Sequence, residues 1–203
     1  MKKIKTVFAV VTLWIATSAF APFTGYQIGD TVAGFKLKNV NGKMVSMADY
    51  KTAKGFIIVF TCNHCPFSKA YEQRIIDLNT FYAPKGYPVL AISSNDKDVV
   101  PEDSYENMQA LAKEKQYAFP YLYDEKQAVA KIFGATRTPQ IFILNKEKKG
   151  SVLVYTGAID DNTDSPADVT TKYVQNAMKE ILSGKPVEQN FTKAVGCSIK
   201  WAQ

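Results

Sequence analysis

Short apolar runs alternate along residues 26–203 with segments whose apolar residues recur at helical spacing. The clearest strand signal is Phe56 to Phe60, five consecutive apolar residues rich in β-formers, directly after Gly55. Such a run is typical of a strand buried on both faces. Pro88 to Ser93 predicts a second buried strand, and Gln140 to Leu144 predicts a third.

Two hairpins and four helices complete the pattern. Asn41-Gly42, between two strand-like segments, predicts a tight turn, and a polar tip over 145–150 predicts a second hairpin that ends near Gly157. The helix signals are about Pro66 to Phe81, a helix behind an Asp103/Glu106 capping box, a short helix capped by Asp124 and stopped by Gly134, and about Ala167 to Leu182. Strands that alternate with helices indicate an α/β sheet covered on both faces, in one domain over residues 26–203.

The first 25 residues have the build of a secretory signal peptide. Lys2, Lys3 and Lys5 precede an apolar run from about Val7 to Phe20, and small residues surround Ala21. The run is shorter than the about 20 residues that a membrane span needs. We therefore expect export, with cleavage near Ala21 or retention of the segment as an anchor, and no stable membrane span in the mature protein.

Composition and charge exclude several classes of protein. The chain has 203 residues, of which 46% are apolar and 22% charged, so it is neither collagen-like nor intrinsically disordered. The net charge is +6, from 25 basic and 19 acidic residues, but three of the basic residues belong to the predicted signal peptide. The remainder has no dense basic stripe, so no nucleic-acid partner is expected.

Cys62 and Cys65 form a Cys-x-x-Cys motif between the first buried strand and the first helix. Two thiols at this spacing can close a small disulfide, and the positive end of the helix dipole would lower the pKa of Cys62. The motif therefore predicts thiol–disulfide exchange, with Cys62 as nucleophile and Cys65 as the resolving thiol. A structural disulfide and half of a zinc site are the alternatives, although no second Cys-x-x-Cys is present.

Two further residues and one segment bear on this chemistry. His64, the only histidine, lies inside the motif and would stabilise a Cys62 thiolate, unless it is merely an exposed turn residue. Thr138-Pro139 precedes a strand, and a cis proline there would present the preceding backbone to a substrate, unless it is an ordinary loop proline. Cys197 leaves an odd thiol, which is either a third redox partner or an unpaired thiol near the end of the chain.

The sequence resembles a known superfamily at several points. The opening residues 28–30, the strand and Cys-x-x-Cys-Pro segment over 56–66, and Thr138-Pro139 resemble the thioredoxin-like superfamily. Residues 62–67, 157–162 and 196–201 resemble, more closely, its exported redoxin branch of thiol–disulfide oxidoreductases and peroxiredoxin-like proteins of the AhpC/TSA type. The resemblance implies a central mixed sheet flanked by helices, with an N-terminal β-hairpin extension and with Pro139 cis beside Cys62 and Cys65.

These observations predict an exported, periplasmic thiol–disulfide oxidoreductase that exchanges a Cys62–Cys65 disulfide. The expected partners are a thiol or disulfide substrate, which Thr138 and Pro139 would contact, and a redox partner protein. No cofactor or metal is required. A peroxiredoxin-like antioxidant peroxidase is one alternative, although the chain lacks the Pro-x-x-x-Thr/Ser-x-x-Cys pattern of peroxiredoxins. A non-enzymatic copper metallochaperone is another, although the single histidine lies within the motif.

Overall fold

The computed structural model describes residues 25–203, so nearly all of the predicted signal peptide lies outside the described residues. The strands in this part of the chain are β1 (Thr31–Val32), β2 (Lys36–Asn39), β3 (Met44–Ser46), β4 (Gly55–Phe60), β5 (Val89–Ser93), β6 (Tyr121–Tyr123), β7 (Arg137–Thr138), β8 (Gln140–Glu147), β9 (Gly150–Gly157) and β10 (Cys197–Ser198). The α-helices are α1 (Pro66–Tyr82), α2 (Tyr105–Glu114), α3 (Ala128–Phe133) and α4 (Tyr173–Leu182).

Eight of the strands form one mixed sheet in the order β1-β9-β8-β4-β5-β6-β2-β3. The neighbours β4, β5 and β6 run parallel, whereas every other pair in this sheet is antiparallel. The parallel strands bring the loops that follow them to the same edge of the sheet. The remaining two strands, β7 and β10, pair separately. The α/β class and the mixed sheet are therefore confirmed.

Strand β4 lies at the centre of the sheet, and its apolar run divides between two cores. Ile57 and Val59 pack in a cluster that includes residues of α1, α2 and α4. Phe56, Ile58 and Phe60 pack in a second cluster, which includes Phe133 of α3. Since side chains alternate between the faces of a strand, a continuous apolar run requires cover on both faces. The expectation of a strand buried on both faces is confirmed.

The structure confirms the predicted ends of α3 and corrects the predicted start of α4. The Asp124 carboxylate accepts the N–H groups of Val129 (3.2 Å) and Ala130 (2.9 Å), and Gly134 ends α3 in a left-handed conformation. The expected helix start at Ala167 is wrong, because α4 begins only at Tyr173. The carboxylate of Asp161 accepts the N–H groups of residues 170 and 171, which holds this stretch in a non-helical conformation.

The predicted capping box before α2 is also wrong. Ser104, not Asp103, caps this helix, since its hydroxyl accepts the N–H of Asn107 at 3.4 Å. Asp103 instead ends a 3₁₀ turn over Pro101–Asp103 and is fully buried. Its carboxylate accepts the N–H groups of Asn63 and His64 instead of those of α2.

Both hairpins are present, with a difference in length. Strands β2 and β3 flank the turn at Asn41-Gly42, where Gly42 has a φ of 83°. Strands β8 and β9 continue to Glu147 and Gly150, so the second turn is tighter than the sequence indicated. Among the helices of residues 25–203, none is both long enough and apolar enough to span a bilayer.

Candidate active site around Cys62

The Cys-x-x-Cys segment occupies the loop between β4 and α1. Cys62 is two residues past the end of β4, and Cys65 is the N-cap residue of α1, which begins at Pro66. Both sulfur-bearing side chains are buried, with 4% of Cys62 and 0% of Cys65 exposed. The motif thus lies between the first buried strand and the first helix, as expected, with Cys62 three residues ahead of the N-cap.

A buried carboxylate fixes the shape of this loop. Oδ1 of Asp103 accepts the backbone N–H groups of Asn63 (2.7 Å) and His64 (3.1 Å). The Asn63 side chain is held in turn, since its Nδ2 donates to the carbonyl of Glu102 at 2.9 Å and its Oδ1 accepts from the hydroxyl of Tyr121 at 2.8 Å. Asp103 therefore positions the backbone on which the cysteine motif is built.

The same carboxylate orients the imidazole of His64. Nδ1 of His64 lies 2.6 Å from Oδ2 of Asp103 and 3.7 Å from the sulfur of Cys62. Because a carboxylate can only accept, the hydrogen on Nδ1 points to Asp103. The side chain of His64 is 25% exposed, so it is neither an isolated surface residue nor fully buried. Cys62, His64 and Asp103 thus form a connected triad.

Two hydroxyl groups also surround the sulfur of Cys62. Oγ1 of Thr138 lies 3.4 Å away, and Oγ of Ser68, on α1, lies 3.8 Å away. A cavity of about 20 Å³ borders Cys62, Ser68 and Tyr121, which is room for a single water-sized molecule. A surface cavity of about 670 Å³ beside α4 is lined by none of the cysteines.

The thiol of Cys62 is harder to ionise than the sequence indicated. Burial raises the pKa of Cys62 above its ordinary value, and the negative charge of Asp103 raises that pKa further. Hydrogen bonds from Thr138, from the amide of Cys65 and from Ser68 act in the opposite direction but do not outweigh burial. The expected lowering of this pKa is therefore wrong for the structure, because Cys62 is out of solvent and close to the Asp103 carboxylate.

The disulfide in the structure joins Cys65 to Cys197, with the two Cα atoms 6.1 Å apart, and Cys62 is free. The expected pair was Cys62 with Cys65. The difference arises because β10 lies antiparallel to β7 and places Cys197 directly opposite Thr138. The sulfur of Cys65 is itself 3.2 Å from the carbonyl oxygen of Thr138. All three cysteines therefore meet at this residue.

The proline after Thr138 has the expected geometry. The Thr138–Pro139 peptide bond is cis, and Thr138 is buried beside both cysteines of the motif. The structure thus brings together every candidate site residue that the sequence offered. The residues that sequence reasoning missed are Asp103, Ser68 and Asn95, whose Nδ2 donates to Oδ2 of Asp103 at 2.7 Å.

One group near the motif could hold a metal ion. Cys62, His64 and Asp103 each offer one ligand atom, and these atoms lie within 4.8 Å of one another. A thiolate, an imidazole and a carboxylate suit zinc or copper. However, the Asp103 oxygens already accept four hydrogen bonds from protein groups, which a bound ion would have to disrupt.

Comparisons with known proteins identify several relatives of this chain. The thiol-disulfide oxidoreductase ResA of Bacillus cereus is 24% identical to this chain over 158 residues, which cover 73% of this chain and 87% of ResA. An uncharacterized conserved protein from Geobacillus kaustophilus, with a solved structure, is 40% identical, with a TM-score of 0.79 over 87% of this chain and 93% of that one. The pneumococcal exposed lipoprotein thioredoxin Etrx1 of Streptococcus pneumoniae is 21% identical, with a TM-score of 0.54 over 75% of this chain and 99% of that one.

The structural matches and the mixed sheet flanked by helices identify the fold as thioredoxin-like. The model of the AhpC/TSA family matches residues 28–151, a segment that contains β4, the cysteine motif, Asp103 and Pro139. Since this match spans more than half of the chain, the protein belongs to the AhpC/TSA family.

Proposed function

We propose that this protein is an exported thiol–disulfide oxidoreductase in which Cys62 attacks the substrate. The observation that carries the proposal is the position of the free Cys62 thiol, next to Thr138 and beside a second cysteine that is already part of a disulfide. The related ResA proteins are named thiol-disulfide oxidoreductases, which supports an oxidoreductase activity for this chain.

The exchange proceeds through two cysteines of the motif. The thiolate of Cys62 attacks one sulfur of a substrate disulfide, which forms a mixed disulfide and releases the first substrate thiolate. Cys65 then attacks the sulfur of Cys62 and releases the second thiolate, so the substrate gains two electrons. In the oxidising direction the same steps run in reverse. The reaction uses only thiols, and therefore our proposal includes no cofactor and no metal.

His64 and Asp103 assist Cys62 in this proposal. The imidazole of His64 lies 3.7 Å from the sulfur of Cys62, within reach of the thiolate that the exchange requires. Asp103 holds the ring in that orientation at 2.6 Å. Because Asp103 touches the ring and the loop backbone rather than the substrate, it is a positioning residue.

The reaction of the reduced protein with a chromogenic aromatic disulfide, dithionitrobenzoate, tests this function. We expect rapid release of the coloured thiolate by the wild type and loss of the rapid phase in Cys62→Ser. Ser198→Ala, which changes an exposed side chain close to the site, serves as the matched control and should react like the wild type. Equal rapid phases in the wild type and in Cys62→Ser would refute the assignment of Cys62.

Export is supported by the pattern of residues 1–25, a basic start followed by an apolar run and small residues. We propose that the mature chain acts in the periplasm, where it meets its substrate and a redox partner protein. Expression of the full chain in a Gram-negative host, followed by mass spectrometry of the periplasmic fraction, tests this. We expect a species that begins after Ala21, and recovery of the intact chain in the cytoplasm alone would contradict export.

A peroxidase is the second candidate, favoured by the match to the AhpC/TSA family and by the water-sized cavity beside Cys62. In that reaction Cys62 becomes a sulfenic acid and the peroxide leaves as an alcohol or water. Cys65 would then form the disulfide and release water. Consumption of hydrogen peroxide by the protein with dithiothreitol as reductant, faster than reduction of a small disulfide, would favour this candidate over our first.

A further inference from the structure

The C-terminal residues 196–202, here called the tail, lie across the cysteine site. In β10, Cys197 is opposite Thr138 and Ser198 is opposite Arg137. Beyond the strand, the N–H of Ile199 donates to the carbonyl of Thr136 at 3.1 Å, and Ile199 is buried in the core that contains Phe60. The tail is therefore packed and hydrogen-bonded in addition to its disulfide.

One buried amide connects the tail to the Cys62 triad. The N–H of Lys200 donates to Oδ1 of Asn95 at 2.8 Å, and Nδ2 of Asn95 donates to Oδ2 of Asp103 at 2.7 Å. The same Oδ2 lies 2.6 Å from Nδ1 of His64, which faces Cys62. A continuous chain of polar contacts thus runs from the tail backbone to the reactive sulfur. Asn95 is 2% exposed, so water does not compete with it.

Gly196 shows that the tail is built to approach this edge closely. A Cβ atom at this position would collide with the carbonyl oxygen of Thr138, and the carbonyl carbon is also within contact distance. A larger residue would hold Cys197 away from Cys65. The close approach is therefore a property of the sequence of the tail as well as of the disulfide.

We propose that Cys197 is a third redox-active cysteine, which takes over the disulfide from Cys62 and Cys65 and thereby fastens the tail against Thr138. The proposal rests on the thiol–disulfide exchange proposed above and extends it by one step. After Cys62 and Cys65 have reduced the substrate, the thiolate of Cys197 attacks the sulfur of Cys65. The Cys65–Cys197 bond forms, the Cys62–Cys65 bond breaks, and its electron pair returns to Cys62, which takes up the proton that Cys197 lost.

This last step is neutral in electrons and needs no further oxidant. Its product is the arrangement in the structure, with Cys62 free and Cys65 bonded to Cys197. The pairing of β10 with β7 holds Cys197 opposite Thr138, whose carbonyl oxygen lies 3.2 Å from the sulfur of Cys65. This placement of Cys197 beside Cys65 favours the Cys65–Cys197 bond.

The step also decides which redox form binds a substrate chain. In the oxidised form, the tail occupies the backbone edge of β7 at Thr138, so no other extended chain can pair there. Reduction removes the covalent link that fixes the tail at Cys65. We therefore assign substrate binding at this edge to the reduced protein and release to the closed, oxidised one.

A rapid-quench experiment with the full chain tests the proposal. The fully reduced protein is mixed with one equivalent of oxidised glutathione, quenched with acid at intervals, alkylated, digested without reductant and mapped by mass spectrometry. We expect the Cys62–Cys65 peptide to appear first and decay, while Cys65–Cys197 accumulates with alkylated Cys62. Cys197→Ser should stop at Cys62–Cys65, and Ser198→Ala should follow the wild-type course.

The variant Cys62→Ser distinguishes formation of the Cys65–Cys197 bond by way of Cys62 from its formation without Cys62. If Cys65 and Cys197 pair only through Cys62, the variant loses the fast formation of Cys65–Cys197. Formation at the wild-type rate in that variant would overturn the proposal, as would a wild-type reaction that stops at Cys62–Cys65 or at glutathionylated Cys62. Failure of the reduced wild type to release any glutathione would instead refute the proposed function itself.

Discussion

Replacement of Cys197 by serine should lower the stability of the oxidised protein by an amount that the chain length determines. The Cys65–Cys197 bond spans 132 positions of the sequence. In the loop-entropy description, a bond of that span stabilises the folded state by about 5 kcal/mol at 25 °C. Without Cys197, Cys65 is left to pair with Cys62, and the resulting loop of four residues contributes only about 2 kcal/mol.

We therefore expect oxidised Cys197→Ser to unfold with a free energy about 3 kcal/mol below that of the oxidised wild type. The measurement is equilibrium unfolding in urea, followed by far-ultraviolet circular dichroism, with and without excess dithiothreitol. Cys62→Ser is the matched control, because it changes a neighbouring cysteine and leaves the long bond in place. Its unfolding free energy should stay near that of the wild type.

The response to dithiothreitol decides whether the bond is responsible. In reductant the wild type loses the long bond, so the difference between the wild type and Cys197→Ser should largely disappear. A difference below about 1 kcal/mol in the oxidised proteins would refute the reasoning, because a bond of this span cannot be so weak in this description. A full difference that persists in reductant would assign the effect to packing of the tail instead.

Four further predictions concern the pH dependence and the packing of the site. Because burial raises the pKa of Cys62 above 9.0, its alkylation by iodoacetamide should accelerate up to pH 9 without a plateau, and a plateau near neutral pH would contradict the burial argument. The folded protein then holds the Cys62 proton more tightly than the unfolded one, so this contribution to stability is complete below pH 9 and is lost as the pH rises further. The difference in unfolding free energy between the wild type and Cys62→Ser, determined in urea at each pH, measures this contribution. Asp103→Asn removes a negative charge that raises this pKa, so the alkylation profile should move to lower pH, and an unmoved profile would exclude Asp103 as a cause. Gly196→Ala forces a Cβ against Thr138 and should shift the oxidised protein from the Cys65–Cys197 disulfide toward Cys62–Cys65, as measured by disulfide mapping. Proportions of the two disulfides equal to those of the wild type would show that the tail accommodates the Cβ at no cost in free energy.

The elements that the sequence predicted well are those determined by neighbouring residues. The apolar run of β4 needs cover on both faces whatever the rest of the chain does, and the motif that follows it starts a helix at Pro66. The turn at Asn41-Gly42 is likewise set by the conformation that those two residues favour. Such features require no knowledge of distant segments.

The candidate site was predictable only in part, since its other half comes from distant segments. Asp103 was misread as a helix cap because a carboxylate just before a helix ordinarily serves that purpose. Its true partner, His64, is 39 residues away. A usable signal existed, because the loops after adjacent parallel strands meet at one edge of the sheet, and both Asn95 and Asp103 follow β5, the neighbour of β4. Polar residues after β5 could therefore have been placed near the motif.

The pairing of the cysteines was beyond local inference for a different reason. The two cysteines of a Cys-x-x-Cys motif can form a disulfide with each other wherever the rest of the chain lies, so the motif alone favours a bond between Cys62 and Cys65. The choice of Cys197 depends on where the tail lies, and that depends on its pairing with β7. Composition and periodicity carry no information about a strand of two residues.

The geometry at Thr138 accounts for the coupling that we propose between the redox state and the tail. One residue lies 3.4 Å from the sulfur of Cys62 through its hydroxyl, lies 3.2 Å from the sulfur of Cys65 through its carbonyl oxygen, and pairs with Cys197 in the strand register. A change of partner at Cys65 therefore acts on the same residue that borders the nucleophile and the tail. Because Asn95 also joins the tail to Asp103, movement of the tail reaches Cys62 by a second route. The proposal therefore predicts that the position of the tail and the reactivity of Cys62 change together.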